Sequence, residues 1–366
     1  MANYVKKYCK GYANVKDANE KLDILKFEDI IPVINEDKNY WLVRTLGGRY
    51  YDEFKTGSFI AIGWDKITLD ELMNLSHPDV IKRISKEYPE RKRPIRLANQ
   101  LSDFVKNIKV GDTVIIPSAG SNKITIGEIE GDPYIEEVDV EKLRPDGKKP
   151  CPYQKRRRVK WIKTISKWDM DMEFFKLFKS QHTISSANDY ASFIDRMMHT
   201  FFIRGNEAHL ILDVRTQGKI PFDTLFPMGT EILNLAKDFN KKTGAGLDLS
   251  DIEVKINVQS PGKIHLTGKV KTMMGIGFLL ILLVGGEVEF EVPLVETTVN
   301  LRVESLITTV SDYLDAKQDR EHDDLVLKTY MKELKVETPD ELKKLMEIDN
   351  NLNSNDEQKS ESKSEE

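Results

Sequence analysis

Three stretches of this 366-residue chain bring together side chains that can do chemistry. Residues 39–64, NYWLVRTLGGRYYDEFKTGSFIAIGW, gather two tryptophans, three tyrosines and two phenylalanines. Such flat rings either pack a sheet or wall a pocket for a planar ligand. Residues 141–167 hold eleven lysines or arginines against Glu141 and Asp146, a local balance of +9, which reads either as a solvated face or as a surface for phosphate. Residues 246–258, GLDLSDIEVKINV, place Asp248, Asp251, Glu253 and Lys255 together. Carboxylates gathered in this way form a donor set that can hold a metal ion for hydrolysis. The sequence contains no Ser-His-Asp order, no P-loop and no H-E-x-x-H.

The composition sets bounds on what can position these groups. Forty per cent of the residues are apolar and 31% charged, enough to bury a substantial core, and the length predicts two domains with extensions. The net charge of −5 argues against a surface that coats nucleic acid over its whole extent, although it leaves a local patch open. Cys9 and Cys151 stand alone, with no CxxC and no nearby histidine cluster, so neither a disulfide framework nor a zinc site is expected. With no apolar run near the N-terminus, the expected location is the cytoplasm.

Short runs rich in Val, Ile and aromatics, YWLVR, SFIAIGW, DTVIIPS and KITIGEIEG, predict strands. The third and fourth flank the turn SAGSN and predict a hairpin. Between the second and third, TLDELMNLSHPDVIKRISKEYPE and RPIRLANQLSDFVKNI are helical, with Ile95, Leu97, Leu101, Phe104, Val105 and Ile108 recurring at three and four. RRRVKWIKTI reads as a strand with Val159, Trp161 and Ile165 inward, and residues 174–202 as helical turns. Further on, AHLILDVRT, IEVKINVQSPGKIHLTGKV and EVEFEVPLVETTVNLRVESL predict strands, FPMGTEILNLAKDFNKKTG predicts a helix closed by glycine, and the period turns helical from Leu301.

The order of YWLVR, IAIGW, ANQLSDFVKNIKVGDTVIIPSAGSNKITIGEIEGDPY and RRRVKWIKTI resembles the EVE-like, PUA-superfamily domain at the N-terminus of Mrr-type restriction proteins, over residues 39–195. That resemblance implies a small bent β-barrel with helices that binds nucleic acid and accepts a modified or flipped base in an aromatic pocket. A base taken out of its stack needs a flat wall and a few polar groups for its edge. On this reading Trp41, Trp64 and Tyr134 supply walls, Arg44, Asn99 and Ser118 supply donors and acceptors, and Lys155, Arg156, Arg157, Arg158 and Lys160 meet phosphate. Each has a plainer alternative, since strand aromatics commonly pack a core and basic runs are commonly solvated.

The restriction relatives carry a PD-(D/E)xK nuclease domain after the reader, and Asp248, Glu253 and Lys255 are the residues that would serve it, with magnesium as its metal. Asp248 lies only five residues before Glu253, which leaves little room for two ligand-bearing strands. Residues 273–286 form fourteen positions without charge or strong polarity. That is short of the roughly 20 a spanning helix needs, so the run predicts a short helix that is core, an oligomer interface or a membrane contact.

The sequence therefore predicts an α+β protein: an N-terminal extension over 1–38, a PUA/EVE-like bent barrel with helices over 39–195, a second α+β domain over 196–348 and a disordered acidic, polar tail over 349–366. The expected function is a nucleic-acid-binding protein that reads a modified or flipped base, DNA being the expected partner, and couples it to an effector or assembly domain in defence against foreign DNA. Neither a cofactor nor a resident metal is expected on that reading. The alternatives are a modification-dependent restriction endonuclease, and a sensor of a small nucleotide with a membrane-active second domain.

Overall fold

The computed structural model describes residues 30–170, 172–216, 219–257, 262–285, 300–316 and 321–345. It is an α+β protein in two compact units, one spanning Asp37–Met198 and the other formed from His199 onward together with the chain up to Glu36.

In the Asp37–Met198 unit, seven strands form one sheet that curls into half a barrel. Its order is Phe59–Ile62, Lys155–Ser166, Lys123–Ile129, Thr113–Pro117, Tyr40–Val43 and Ile184–Ser186, with Tyr134–Ile135 also pairing to Lys155–Ser166. Tyr40–Val43 runs parallel to Thr113–Pro117 and the other pairs are antiparallel. The long strand Lys155–Ser166 causes much of the curl: its first residues pair with Phe59–Ile62 and the rest with Lys123–Ile129, across a register shift at Ile126/Gly127.

The sheet has a core on each face. Trp41, Val43, Val114 and Ile116 point to one side, Tyr40, Leu42 and Ile115 to the other, and all are buried. This is why YWLV and TVIIP read as continuous apolar runs instead of alternating ones. Helices Leu69–Asn74, His77–Glu87 and Pro94–Ser102 cover the first face with Leu72, Val80, Ile84, Leu97 and Leu101. The one long helical stretch expected before Glu90 is two helices, each with its own N-cap. Thr68 forms a capping box with Glu71, and the Ser76 hydroxyl accepts from the Asp79 N–H, with Pro78 in the first turn. Ile95, expected on the apolar stripe, is exposed. The segment expected to be wholly helical turns contains a 3₁₀ helix at Met172–Lys179, the strand Ile184–Ser186, a short 3₁₀ turn, the helix Ala191–Met198 and the strand Phe201–Arg204.

The second unit is a sheet in the order Val33–Ile34, Phe201–Arg204, Glu207–Val214, Gly262–Lys269 and Glu253–Asn257, with Val336–Glu337 pairing to Glu207–Val214. Part of the expected N-terminal extension thus belongs to this unit: Val33–Ile34 adds a parallel edge strand and Ile31 is fully buried in its core. Helices Phe222–Thr243, Val270–Gly285, Asn300–Asp315 and Glu321–Glu333 pack with the sheet around one core.

The apolar run at 273–286 lies in the helix Val270–Gly285, and Met273, Met274, Ile276, Leu279, Leu280 and Leu283 are buried in that core. Sixteen residues span about 24 Å, and among the described residues no helix is long and apolar enough to cross a membrane. Of the three readings of this run, burial in the core is the one observed, and the membrane reading finds no support in a helix of this length. Gly275 and Gly277 lie inside this helix. A Cβ at Gly277 would sit 2.2 Å from Leu342 Cδ1, so the missing side chain is what lets Leu342 approach. The strand expected at 287–293 and the tail at 349–366 lie outside the described residues. From Asn300 onward, where the strand reading overlapped the helical one, the chain is helical.

Candidate ligand cleft in the Asp37–Met198 unit

The helix Pro94–Ser102 has two faces of opposite use. Leu97, Ala98 and Leu101 face the core, while Arg96, Asn99, Gln100 and Asp103, three and four apart, share the other face. That polar face forms one wall of a cleft of about 420 Å³, within the roughly 300–1,000 Å³ usual for small-molecule sites. The opposite wall is the chain from Lys176 to Tyr190, including Leu177, His182 and Ile184.

Two side chains hold the walls in register. Gln100 Oε1 accepts from the backbone N–H groups of Thr183 at 2.6 Å and Ile184 at 3.4 Å, tying one wall to the other. Arg44 donates through Nη2 to the carbonyls of Phe178, at 2.5 Å, and Ser180, so its charge meets the carbonyl end of the 3₁₀ helix Met172–Lys179. Its backbone N–H also donates to Thr183 O at 2.8 Å. Arg44 Nε is buried without a hydrogen-bond partner, and burial lowers the pKa of the guanidinium from its ordinary value.

Of the cleft-lining residues, Asn99 has its Oδ1 2.8 Å from Nε2 of His77, which lies outside the lining. That contact fixes the amide with its oxygen toward the histidine and leaves the NH2 as donor. Tyr190 packs edge-on against Phe174 with ring centroids 6.0 Å apart, which anchors an aromatic wall. Arg96 has no carboxylate partner among the described residues, and Lys176 pairs with Glu173. The cleft thus combines one aromatic face, amide donors and acceptors, and cations at its edge.

The residues expected from the sequence are scattered by this geometry. Asn99 lines the cleft, and Arg44 acts through the wall it clamps. Trp41 is 8% exposed and donates from Nε1 to Asp112 Oδ2 at 2.9 Å, and Asp112 in turn accepts from the N–H groups of Asn39 and Lys109. This corrects its reading as a pocket wall, since an inward indole serving a buried carboxylate has no face to offer. Ser118 is a turn residue whose Oγ accepts from Lys123 N–H at 2.9 Å. Trp64 is half-buried with φ +59, a left-handed conformation that is costly for a bulky residue, and the Arg91 guanidinium stands 5.7 Å from its ring. Tyr134 lies under the Arg158 guanidinium at 5.4 Å.

The basic run is corrected in its first half. Lys155 is 1% exposed, and its ammonium donates to Asp65 Oδ1 at 2.8 Å and to Trp64 O at 3.2 Å, pinning the strained Trp64 turn. Burial pushes its pKa below the ordinary amine value, with Asp65 opposing. Arg156 stacks over Phe59 at 4.1 Å. Arg157 is 2% exposed and donates to Phe104 O, Val105 O and Gly131 O at 2.7 to 3.0 Å, taking up carbonyls of the π-helical turn Asp103–Asn107. Only Arg158 and Lys160 of the five face solvent.

In the second unit, Glu253 and Lys255 lie on one face of the exposed edge strand Glu253–Asn257, while Asp248 forms an ion pair with Lys269 and accepts from Ser250. Among the described residues, no group of three His, Cys, Asp or Glu side chains is placed to hold a metal ion.

Tyr190, Arg96, Gln100 and His182 were not among the residues expected. The signal for the first helix was present, because the positions left over when Leu97 and Leu101 are assigned to the core are Arg96, Asn99 and Gln100. Nothing in the sequence pointed to the partner wall, which is assembled by side-chain contacts to backbone across more than eighty positions.

Residues 41–187 match a family described as a domain of unknown function, DUF8426. No curated protein matches the chain. The matched span contains every cleft residue named above except Tyr190.

Proposed function

We propose that the Asp37–Met198 unit is a nucleic-acid-binding module that reads a single base, with the cleft between Pro94–Ser102 and the 176–190 segment as the seat of that base. The observation that carries the reading is the cleft itself: about 420 Å³, an anchored Tyr190 ring, a fixed Asn99 amide and the unpaired Arg96 on one rim. A planar heterocycle is the ligand class that uses a ring face and an amide edge together. Restriction of foreign DNA as the setting rests on the resemblance alone, and the second unit would then act as effector.

The test is a titration of the full chain against matched oligonucleotides carrying unmodified, methylated and hydroxymethylated bases. Stacking on an aromatic contributes on the order of 1 to 3 kcal/mol per base, so Tyr190→Ala should weaken binding by about tenfold, and Asn99→Ala should reduce the preference between bases. If Trp64→Ala abolishes that preference while Tyr190→Ala and Asn99→Ala leave it intact, the seat is at Trp64 and the cleft is the wrong site. The nuclease alternative has no observation in its favour beyond the Glu253 and Lys255 spacing.

A further inference from the structure

A second concavity in the same unit, about 250 Å³ in volume, is lined by four cations: Arg49, Arg144, Lys148 and Lys149. None of them lines the Tyr190 cleft. They come from two segments far apart in sequence. Arg49 ends the TLGGR turn, in which Gly48 holds φ +96 with the Ala119 backbone so close that a Cβ would fall 2.2 Å from its nitrogen. The others come from a compact loop closed by Arg144 N–H to Lys148 O and Gly147 N–H to Arg144 O, both at 2.9 Å.

Arg144 is the fixed member. It donates through Nη1 to Glu53 Oε2 at 2.9 Å and through Nη2 to Asp146 Oδ2 at 3.0 Å, and Glu53 is itself held by the Cys151 N–H. The guanidinium keeps further N–H donors beyond those two. The remaining three cations are poorly matched within the chain. Lys148 stands 3.8 Å from Asp146, which Arg144 already engages, and Lys149 stands 3.7 Å from Glu141. Arg49 has no carboxylate partner among the described residues, and its guanidinium lies 5.5 Å from the Tyr50 ring. Four like charges around one small concavity repel one another, and a bound anion relieves that.

The geometry points to a phosphoryl group as the ligand of this concavity. A single carboxylate would repeat what Glu53 and Asp146 supply to Arg144. A phosphoryl group carries up to two charges and three acceptor oxygens, so it can engage the positioned Arg144 together with Arg49, Lys148 and Lys149. The group can belong to a nucleic-acid backbone or to a free phosphorylated molecule. The site does not depend on the Tyr190 cleft being a base reader.

The experiment uses the full chain with two probes, inorganic pyrophosphate by calorimetry at low salt and a single-stranded oligonucleotide by anisotropy over a series of salt concentrations. The variants are Arg49→Gln combined with Lys148→Gln and Lys149→Gln, all side chains without a buried structural contact, with retained melting temperature as the folding control. The expected result is at least tenfold weaker binding of one or both probes, with Tyr190→Ala leaving pyrophosphate binding unchanged. Loss confined to pyrophosphate identifies a free phosphorylated ligand. A fall of about two in the salt slope of oligonucleotide binding, near 0.7 for each phosphate no longer neutralised, identifies the backbone. No binding of either probe by the wild-type chain, or binding that the triple variant leaves unchanged, overturns the proposal, whatever the outcome at the cleft.

Discussion

Two cationic groups drawn from the same basic stretch end in opposite places. Lys155, Arg156 and Arg157 are buried, and carbonyls, an aspartate and a phenyl ring take up their charges. Arg144, Lys148 and Lys149, a few residues earlier, line a concavity with Arg49. Net charge along the sequence does not separate them. What separates them is the backbone: Lys155 and Arg156 are paired on both sides, to Phe59–Ile62 and to Tyr134–Ile135, and Arg157 is paired to Ile60, so these side chains enter the layers on either face of the sheet. The 144–149 segment is a loop in which Arg144 is tied to Glu53 while Lys148 and Lys149 are exposed.

The largest effect that could break this comparison is Arg157→Ala. It strips two buried carbonyls, Phe104 O and Val105 O, and the half-buried Gly131 O of their donor at once, and at about 1 to 3 kcal/mol for each buried acceptor left unpaired the loss should reach about 3 to 5 kcal/mol. Lys148→Gln with Lys149→Gln should change stability by no more than about 0.5 kcal/mol, because both are exposed and weakly paired. All four tryptophans, Trp41, Trp64, Trp161 and Trp168, lie in the Asp37–Met198 unit. Urea unfolding followed by tryptophan fluorescence therefore reports on that unit selectively. Equal midpoints for the two variants would show that the buried arginine is not holding the π-helical turn.

A smaller effect sharpens the same contrast among the aromatics. Trp41→Phe keeps the ring but removes the Nε1–H donated to Asp112, and should cost about 1 to 2 kcal/mol by the same unfolding measurement. Oligonucleotide affinity should stay unchanged, whereas Tyr190→Ala should lower affinity with little loss of stability. A Trp41→Phe variant that is fully stable but binds poorly would return Trp41 to the ligand site.

The strands of the first unit were legible because both faces are buried, which leaves runs such as YWLV and TVIIP with no polar interruption. The SAGSN hairpin was legible from its turn residues. The destination of KRRR was not, because a buried arginine is specified by carbonyls at the end of a turn fifty positions away. The two walls of the cleft were half legible: the polar stripe Arg96, Asn99 and Gln100 follows from the core stripe, while the path of 180–186 is set by Gln100 and Arg44 reaching its backbone. In the second unit, the sequence gives no notice that Gly275 and Gly277 are the places where Leu247 and Leu342 press against the helix Val270–Gly285.

The smallest expected effect concerns an exposed charge group, Lys269 with Asp248 and, at 3.5 Å, Asp251. Asp248 is held by Lys269 first and by Ser250 next, and its pKa is lowered to about 2 from an ordinary value of 3.8. A carboxylate with a depressed folded value contributes stability that is present above the unfolded value and is lost as pH falls through the folded one. The contribution should therefore hold at neutral pH and fade between about 4 and 2. Because the pair is exposed, salt should shrink it, unlike the contacts of Arg157. Carboxyl NMR should place the Asp248 midpoint near 2, and Lys269→Gln should move it up toward 3.8. A midpoint that ignores Lys269 but shifts with added magnesium would mean that Asp248 is available to a metal, and would reopen the reading of Asp248, Glu253 and Lys255 as a hydrolytic site.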